Sequence, residues 1–315
     1  MRIVFAGTPD LAVPSLRALS RAGHEIAAVV TRPNARSGRG KQLVSSPVAR
    51  AAEEMGIAVL KPEHPRDPGF ADQLARLSPR ACAVVAYGGL LPQSLLDLVP
   101  DGWINLHFSL LPAWRGAAPV QRALMAGDTQ TGVTTFRIVK KLDAGPLYRS
   151  VRVPIGPDET AGELLDRLSV IGADVLVETF ADITAGLEPV EQDDDGVSIA
   201  AKVSVDDARI DWRQPAARIV NLVRGTNPAP GAWSVLAGRH FKVLRVVPAG
   251  DTGAGTALLS GELRATNKHL WVGCGDGAVE LIQVRDFGKK SMSGADWARG
   301  ARPTPGIRFE AADHE

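Results

Sequence analysis

Cysteine is nearly absent from this chain: two residues, Cys82 and Cys274, in 315. They lie far apart, each in an apolar stretch, which argues against a disulfide framework and predicts buried free thiols. The six histidines, at 24, 64, 107, 240, 269 and 314, show no metal-ligand spacing, so no metal is expected. No run approaches the roughly 18 uninterrupted apolar residues that a membrane span needs. The sequence opens almost at once on a strand-like run, Arg2-Ile3-Val4-Phe5-Ala6-Gly7, and the expectation is a cytoplasmic protein without a leader and with no membrane partner. Two nucleotide fingerprints are also missing. The first glycine turn, Ala6-Gly7-Thr8-Pro9-Asp10, is not G-x-G-x-x-G, which disfavours a nicotinamide dehydrogenase, and no G-x-x-x-x-G-K-[ST] is present for a P-loop.

What is present is an ordinary globular composition, 45% hydrophobic and 23% charged, long enough for about two domains. The formal net charge of +1 hides a block pattern: residues 1–156 carry 19 Lys/Arg against 11 Asp/Glu, residues 157–207 carry 2 against 14, and residues 208–310 carry 15 against 8. Two basic blocks flanking an acidic connector permit a nucleic-acid partner without requiring one.

Along the first 155 residues, strand-like runs (2–6, 25–31, 57–60, 81–87, 102–107) alternate with helical patterns near 10–22, 45–55, 68–77 and 117–126. Parallel strands need crossover helices, so the alternation predicts an α/β domain with a wound, mostly parallel sheet. Runs 131–139 and 146–153 follow as a late strand pair. Residues 160–185 read as a long helix and 186–205 as a linker containing Asp193-Asp194-Asp195. A helix at 214–224 then leads into short runs at 232–236, 239–247, 255–263, 269–272 and 278–284, the rhythm of a small barrel or sandwich. The expected domains are 1–188 and 206–310, joined by 189–205.

Chemistry concentrates at Trp103-Ile104-Asn105-Leu106-His107-Phe108-Ser109-Leu110-Leu111-Pro112. Asn105 and His107 are two apart on a strand, hence on one side, about 6–7 Å apart. They sit at a carboxyl end, where wound sheets bind ligands. Asn can donate to a carbonyl oxygen and His can move a proton near neutral pH; a strand-end pair satisfying loop backbone is the alternative. Asp143, in Lys140-Lys141-Leu142-Asp143-Ala144-Gly145-Pro146, can equally be a turn residue capping its own backbone. The stretch 31–42 carries four basic residues and no acid. It is either a solvated loop or a phosphate-gripping arm.

Taken together, Asn105-x-His107, Ser109-Leu110-Leu111-Pro112 and Asp143-x-Gly145 resemble the core of the folate-dependent formyltransferases. Phe5-Ala6-Gly7-Thr8-Pro9, Ser37-Gly38-Arg39-Gly40-Lys41, Trp114-Arg115-Gly116-Ala117-Ala118-Pro119, Gln121-Arg122-Ala123, Asp211-Trp212, Val223-Arg224-Gly225 and Pro228-Ala229-Pro230-Gly231-Ala232-Trp233 are similar to that family's tRNA-acting branch. The resemblance covers nearly the whole chain. It implies a Rossmann-like formyltransferase domain followed by a small OB-like β-barrel, acting as a monomer. It implies formyl transfer from 10-formyltetrahydrofolate to the α-amino group of initiator methionyl-tRNA, with Asn105, His107 and Asp143 catalytic. Ser109, Leu110, Leu111, Pro112, Ala86, Tyr87 and Gly88 would line the folate pocket, and Arg36, Arg39 and Lys41 would reach the tRNA acceptor arm. An amino sugar or glycinamide ribonucleotide as acceptor is the nearest alternative; a formyltetrahydrofolate hydrolase and a non-catalytic RNA-binding module are further ones. Phe108, where the tRNA-acting branch usually has a small residue, and Arg137-Ile138-Val139-Lys140-Lys141, where it is usually richer in Met and Gly, depart from the pattern.

Overall fold

The computed structural model describes residues 1–37, 42–250 and 258–311. They divide into two compact units: residues 1–116, 130–154 and 165–199, and residues 117–129, 155–164 and 200 onward.

The first unit is built on a seven-stranded sheet. Its strands are β1 (Arg2–Gly7), β2 (Glu25–Val30), β5 (Val59–Leu60), β6 (Ala81–Val85), β7 (Trp103–His107), β9 (Gln130–Arg137) and β10 (Leu147–Pro154). They run in the order β10-β9-β7-β6-β1-β2-β5. The pairs among β5, β2, β1, β6 and β7 are parallel, whereas β9 is antiparallel to both β7 and β10. All five residues of β6 are buried, as strands covered on both faces must be. The crossovers are α1 (Val13–Arg21), α2 (Pro47–Glu54), α3 (Pro68–Leu77) and the single turn α4 (Gln93–Leu96). Ser46 stops the chain before α2 by accepting the Ala49 N–H at 3.0 Å, and Pro47 supplies the first helical residue. A short antiparallel pair is formed by β3 (Ala35–Ser37) and β4 (Gln42–Val44).

The long helix α6 (Ala161–Thr184) opens on a capping box: Glu163 Oε2 accepts the Thr160 N–H at 2.8 Å and Thr160 Oγ accepts the Glu163 N–H at 3.4 Å. A Cβ at Gly172 of this helix would stand 2.7 Å from Leu106 Cδ2. The absent side chain therefore lets α6 press on one face of β7, so Asn105 and His107, alternating with Leu106, point off the other.

In the second unit, α5 (Pro119–Ala126) packs against α7 (Ala216–Thr226). Contact is close because residue 225 is glycine: a Cβ there would lie 2.9 Å from the Gln121 carbonyl. An antiparallel sheet follows, ordered β12 (Trp233–Leu236), β13 (Arg239–Pro248), β16 (Gly277–Asp286), β15 (Leu270–Cys274), β14 (Leu263–Ala265), with β17 (Met292–Ser293) beside β16. The sheet curls, and residues 307–310 join its edges. Leu263 donates to the Ile307 carbonyl at 3.0 Å and Glu310 to the Val235 carbonyl at 2.9 Å. Trp212, Phe241, Trp297 and Phe309 interlock inside it. Helix α8 (Gly294–Ala301) starts at the Ser293 cap. Two short strands, β8 (Arg115–Gly116) and β11 (Ile199–Ala200), complete the set.

The α/β unit with its mostly parallel sheet and the curled antiparallel sheet agree with the expected fold. One strand is corrected: of the run expected at 255–263, residues 255–257 lie outside the described residues, and the strand observed is Leu263–Ala265. Cys82 and Cys274 are both free and buried. Among the described residues no helix is long and apolar enough to cross a membrane.

Candidate active site

Strand β7 delivers His107 to the carboxyl edge of the sheet, where the residue is 5% exposed. Its Nε2 lies 2.9 Å from the Trp114 carbonyl. A carbonyl only accepts, so Nε2 carries the hydrogen, and in a neutral ring Nδ1 presents a lone pair. Nδ1 faces the carboxylate of Asp143, whose Oδ2 is 3.9 Å away. That separation is too long for a direct hydrogen bond but short for a charge interaction. Burial pushes the imidazole below its ordinary value of 6.5, and Asp143 followed by the Trp114 carbonyl offsets part of that push. The ring of Phe136 stands nearly perpendicular to the imidazole, with centroids 6.3 Å apart.

Asp143 is brought here by the turn between β9 and β10. Its Oδ2 accepts the Gly116 N–H at 2.8 Å, so one oxygen meets both the imidazole and a fixed backbone donor. Asn105 is half-buried on the same side of β7, its backbone laddered between Val84 and Phe136. The structure thus brings together two stretches well separated in sequence.

Six non-glycine residues among those described have positive φ: Trp114 at 63° and Asp143 at 45° both lie against His107, and Ala86 at 47° follows β6, the strand paired with β7. Of the others, Ser78 and Arg302 close helices and Ala237 turns the β12–β13 hairpin. Each such backbone costs on the order of 1 kcal/mol and persists only where its neighbours hold it.

The remaining expected residues form a wall and a loop. Ser109 is fully buried and its Oγ donates to the Ala113 carbonyl at 2.6 Å. Thr134 Oγ donates to the Ser109 carbonyl at 2.7 Å and accepts the Leu111 N–H at 3.3 Å. This fixes the bend that carries Leu110, Leu111 and Pro112, where the Leu111–Pro112 peptide is cis. Phe108, the departure from the family pattern, is buried. After β6, Ala86 and Gly88 are exposed while Tyr87 turns inward to the core. Thr8 Oγ donates to the Tyr87 carbonyl at 2.9 Å and Arg32 Nη1 to the Gly88 carbonyl at 2.9 Å. Arg36 is exposed on β3; Arg39 and Lys41 lie outside the described residues.

Three contributors escaped sequence reasoning: Arg115, Gln192 and Ser198. Ser198 Oγ accepts the Trp114 N–H and its carbonyl accepts the Arg115 N–H, both at 2.8 Å. Gln192 bonds Arg115 and the 143–145 turn. The stretch that read as a linker thus braces the segment holding His107. Arg115 stood inside a matched block, but Gln192 sits in an acidic run with no local signal, its partners 47 to 77 residues away. Among the described residues no group of three or more His, Cys, Asp or Glu could hold a metal.

Residues 1–180 match the family described as formyl transferase, and residues 202–302 match the formyl transferase C-terminal domain. Methionyl-tRNA formyltransferase of Streptomyces coelicolor is 54% identical over 310 residues, covering 98% of this chain and 99% of that protein. The protein of the same name from Cutibacterium acnes is 51% identical over 314 residues, covering 98% and 100%. Among solved structures, HypX of Aquifex aeolicus in complex with tetrahydrofolic acid aligns with a TM-score of 0.66 at 17% identity, over 99% of this chain and 51% of that one. A Helicobacter canadensis N-formyltransferase in complex with folinic acid and dTDP-3-aminofucose aligns with a TM-score of 0.67 at 16% identity, over 90% and 99%. At such identities these two structures speak to fold alone.

Proposed function

The chain belongs to the formyl transferase family, and on that premise we propose that it moves the formyl group of 10-formyltetrahydrofolate onto the α-amino group of methionine carried by initiator tRNA. The acceptor rests on relatives about half identical across both units. The observation that carries the chemistry is the placement of His107: Nε2 lies against the Trp114 carbonyl, which assigns the hydrogen to that nitrogen, and Nδ1 lies beside the Asp143 carboxylate.

The amine attacks the formyl carbon, a C–N bond forms, and the carbonyl oxygen becomes an oxyanion. Asn105 donates its amide N–H to that oxygen; one such donor is worth roughly 3–4 kcal/mol in the transition state. His107, neutral at Nδ1, takes the proton shed by the attacking nitrogen, and Asp143 stabilises the resulting imidazolium. Because Nε2–H is committed to Trp114, His107 can hydrogen-bond the oxyanion only through Nδ1 after this protonation, so Asn105 holds the oxygen first. The imidazolium then passes the proton to N10 as the C–N10 bond breaks. The products are formylmethionyl-tRNA and tetrahydrofolate, with no net proton. Acid–base help of this kind contributes on the order of 10²–10⁴-fold.

The surroundings fit the donor. A pterin needs polar partners for its edge and an apolar wall for its rings; the exposed residues Ala86 and Gly88 suit the first and the Leu110–Pro112 bend the second. On the acceptor side, exposed Arg36 leads into Arg39 and Lys41, cations suited to the phosphates of the acceptor arm.

The test is a formylation assay with 10-formyltetrahydrofolate and charged initiator tRNA, run beside an amino-sugar nucleotide and glycinamide ribonucleotide. Formylmethionyl-tRNA as the dominant product supports the assignment. Preference for either small acceptor refutes the tRNA reading, and release of formate without transfer refutes the transferase reading.

A further inference from the structure

Gln192 stands in the acidic run Glu191–Asp195 and is half-buried. Both ends of its side-chain amide are used. Nε2 donates to the carbonyls of Asp143 and Gly145, each at 2.8 Å. Oε1 accepts from Nε and Nη2 of Arg115, at 3.1 and 2.6 Å. Carbonyls demand a donor and a guanidinium demands an acceptor, so the amide fits in one orientation only. The residue it grips on one side is Asp143, whose backbone sits at φ 45°. The residue on the other side is Arg115, 5% exposed. Arg115 lies between Trp114, whose carbonyl holds His107, and Gly116, whose N–H holds the Asp143 carboxylate.

We propose that Gln192 is a positioning residue for formyl transfer, clamping the Asp143 turn to Arg115 so that the carboxylate and the imidazole keep their mutual placement. The inference rests on the function proposed above. It competes with a plainer role, in which Gln192 only satisfies the buried Arg115 guanidinium. Gln192→Glu separates the two, because a carboxylate still accepts from Arg115 but has nothing to donate to the Asp143 and Gly145 carbonyls. Gln192→Ala removes both functions.

If the clamp positions Asp143, Gln192→Glu lowers kcat on the order of 10²-fold, the usual scale for a misplacement of about 1 Å. Donor Kd stays within about twofold. In an Asp143→Asn background the same change costs little more, because the group it positions has already lost its charge. The His107 titration, followed by NMR, supplies a readout independent of turnover. The charged group facing the ring is Asp143, from the turn after β9; the loop after β7 offers the neutral Trp114 carbonyl and β9 the ring of Phe136. Displacing the carboxylate therefore moves the titration of His107 to lower pH. Gln192→Ala gives the same direction in both measurements and stands in should the glutamate variant not fold. Wild-type kcat in Gln192→Glu, donor affinity falling in step with kcat, or an equal loss with and without Asp143 each overturn the proposal. A wild-type chain that formylates no acceptor overturns the functional reading instead; an unchanged His107 titration in Gln192→Glu would then still refute the clamp.

Discussion

Replacing Asp143 by asparagine keeps the shape of the side chain and removes its charge. The substituted amide can still accept the Gly116 N–H through its oxygen, so the turn survives. What disappears is the interaction between the carboxylate and an imidazolium at 3.9 Å. With an effective dielectric of about 20 that interaction is worth about 4 kcal/mol. Both groups are well shielded, the imidazole 7% and the carboxylate 17% exposed, so solvent screens little of it. At a factor of ten per 1.36 kcal/mol the full loss is about 10³-fold. Because Gly116 N–H already draws on the same oxygen, we expect about 10²–10³-fold. The assay is single-turnover formylation of methionyl-tRNA at saturating donor, with donor affinity measured separately by fluorescence. The expected result is a fall in the chemical step with donor Kd within twofold. A rate within threefold of wild type would refute it, and so would a parallel collapse of donor affinity.

Asn105→Ala should lower kcat by about 10²–10³-fold, the scale of one oxyanion donor, with KM for both substrates nearly unchanged; steady-state kinetics that show only a KM effect would contradict this. His107 must be neutral to act and its folded pKa lies below 6.5, so kcat should hold above that value and fall as pH drops through the folded pKa. The same shift acts on stability: the unfolded ring takes up a proton near 6.5 and the folded ring resists. Stability should decline as pH falls from 6.5 toward the folded value, and His107→Gln should reduce that slope in Tm-against-pH curves without abolishing it, because burial lowers His24 as well. Gly225→Ala gains helix propensity of up to about 1 kcal/mol but forces a methyl to 2.9 Å from the Gln121 carbonyl, and overpacking of about 1–3 kcal/mol decides the sign. Tm should fall, whereas Gly300→Ala in α8, with nothing within 4 Å of the added methyl, should raise it.

The sheet was legible because its strands announce themselves by continuous apolar runs such as Ala81–Val85, and its mostly parallel character followed from the helices between them; the strand order rests on pairings that no single run discloses. His107 and Asn105 were visible as a polar pair in such a run, yet only the family resemblance tied them to Asp143, since no periodicity tells a turn 36 residues away where to fold. The His107 tautomer was illegible: it depends on one carbonyl, that of Trp114, whose direction is set by a backbone at φ 63°. Gln192 was hidden because its partners are backbone oxygens and a buried guanidinium, and its acidic neighbours read as solvated connector. In the second unit, the run expected at 255–263 shares only Leu263 with the observed strand Leu263–Ala265, while residues 307–310 form no run at all and join the sheet edges through scattered bonds.

The proposed proton transfer depends on which nitrogen of His107 holds the hydrogen. Nitrogen-15 NMR of the labelled imidazole at pH 7 reports this directly. The geometry requires a neutral ring with hydrogen on Nε2 and none on Nδ1, gaining its second proton only below pH 6.5. A ring that is neutral with hydrogen on Nδ1, or already doubly protonated at pH 7, would leave no base facing the amine and would contradict the mechanism.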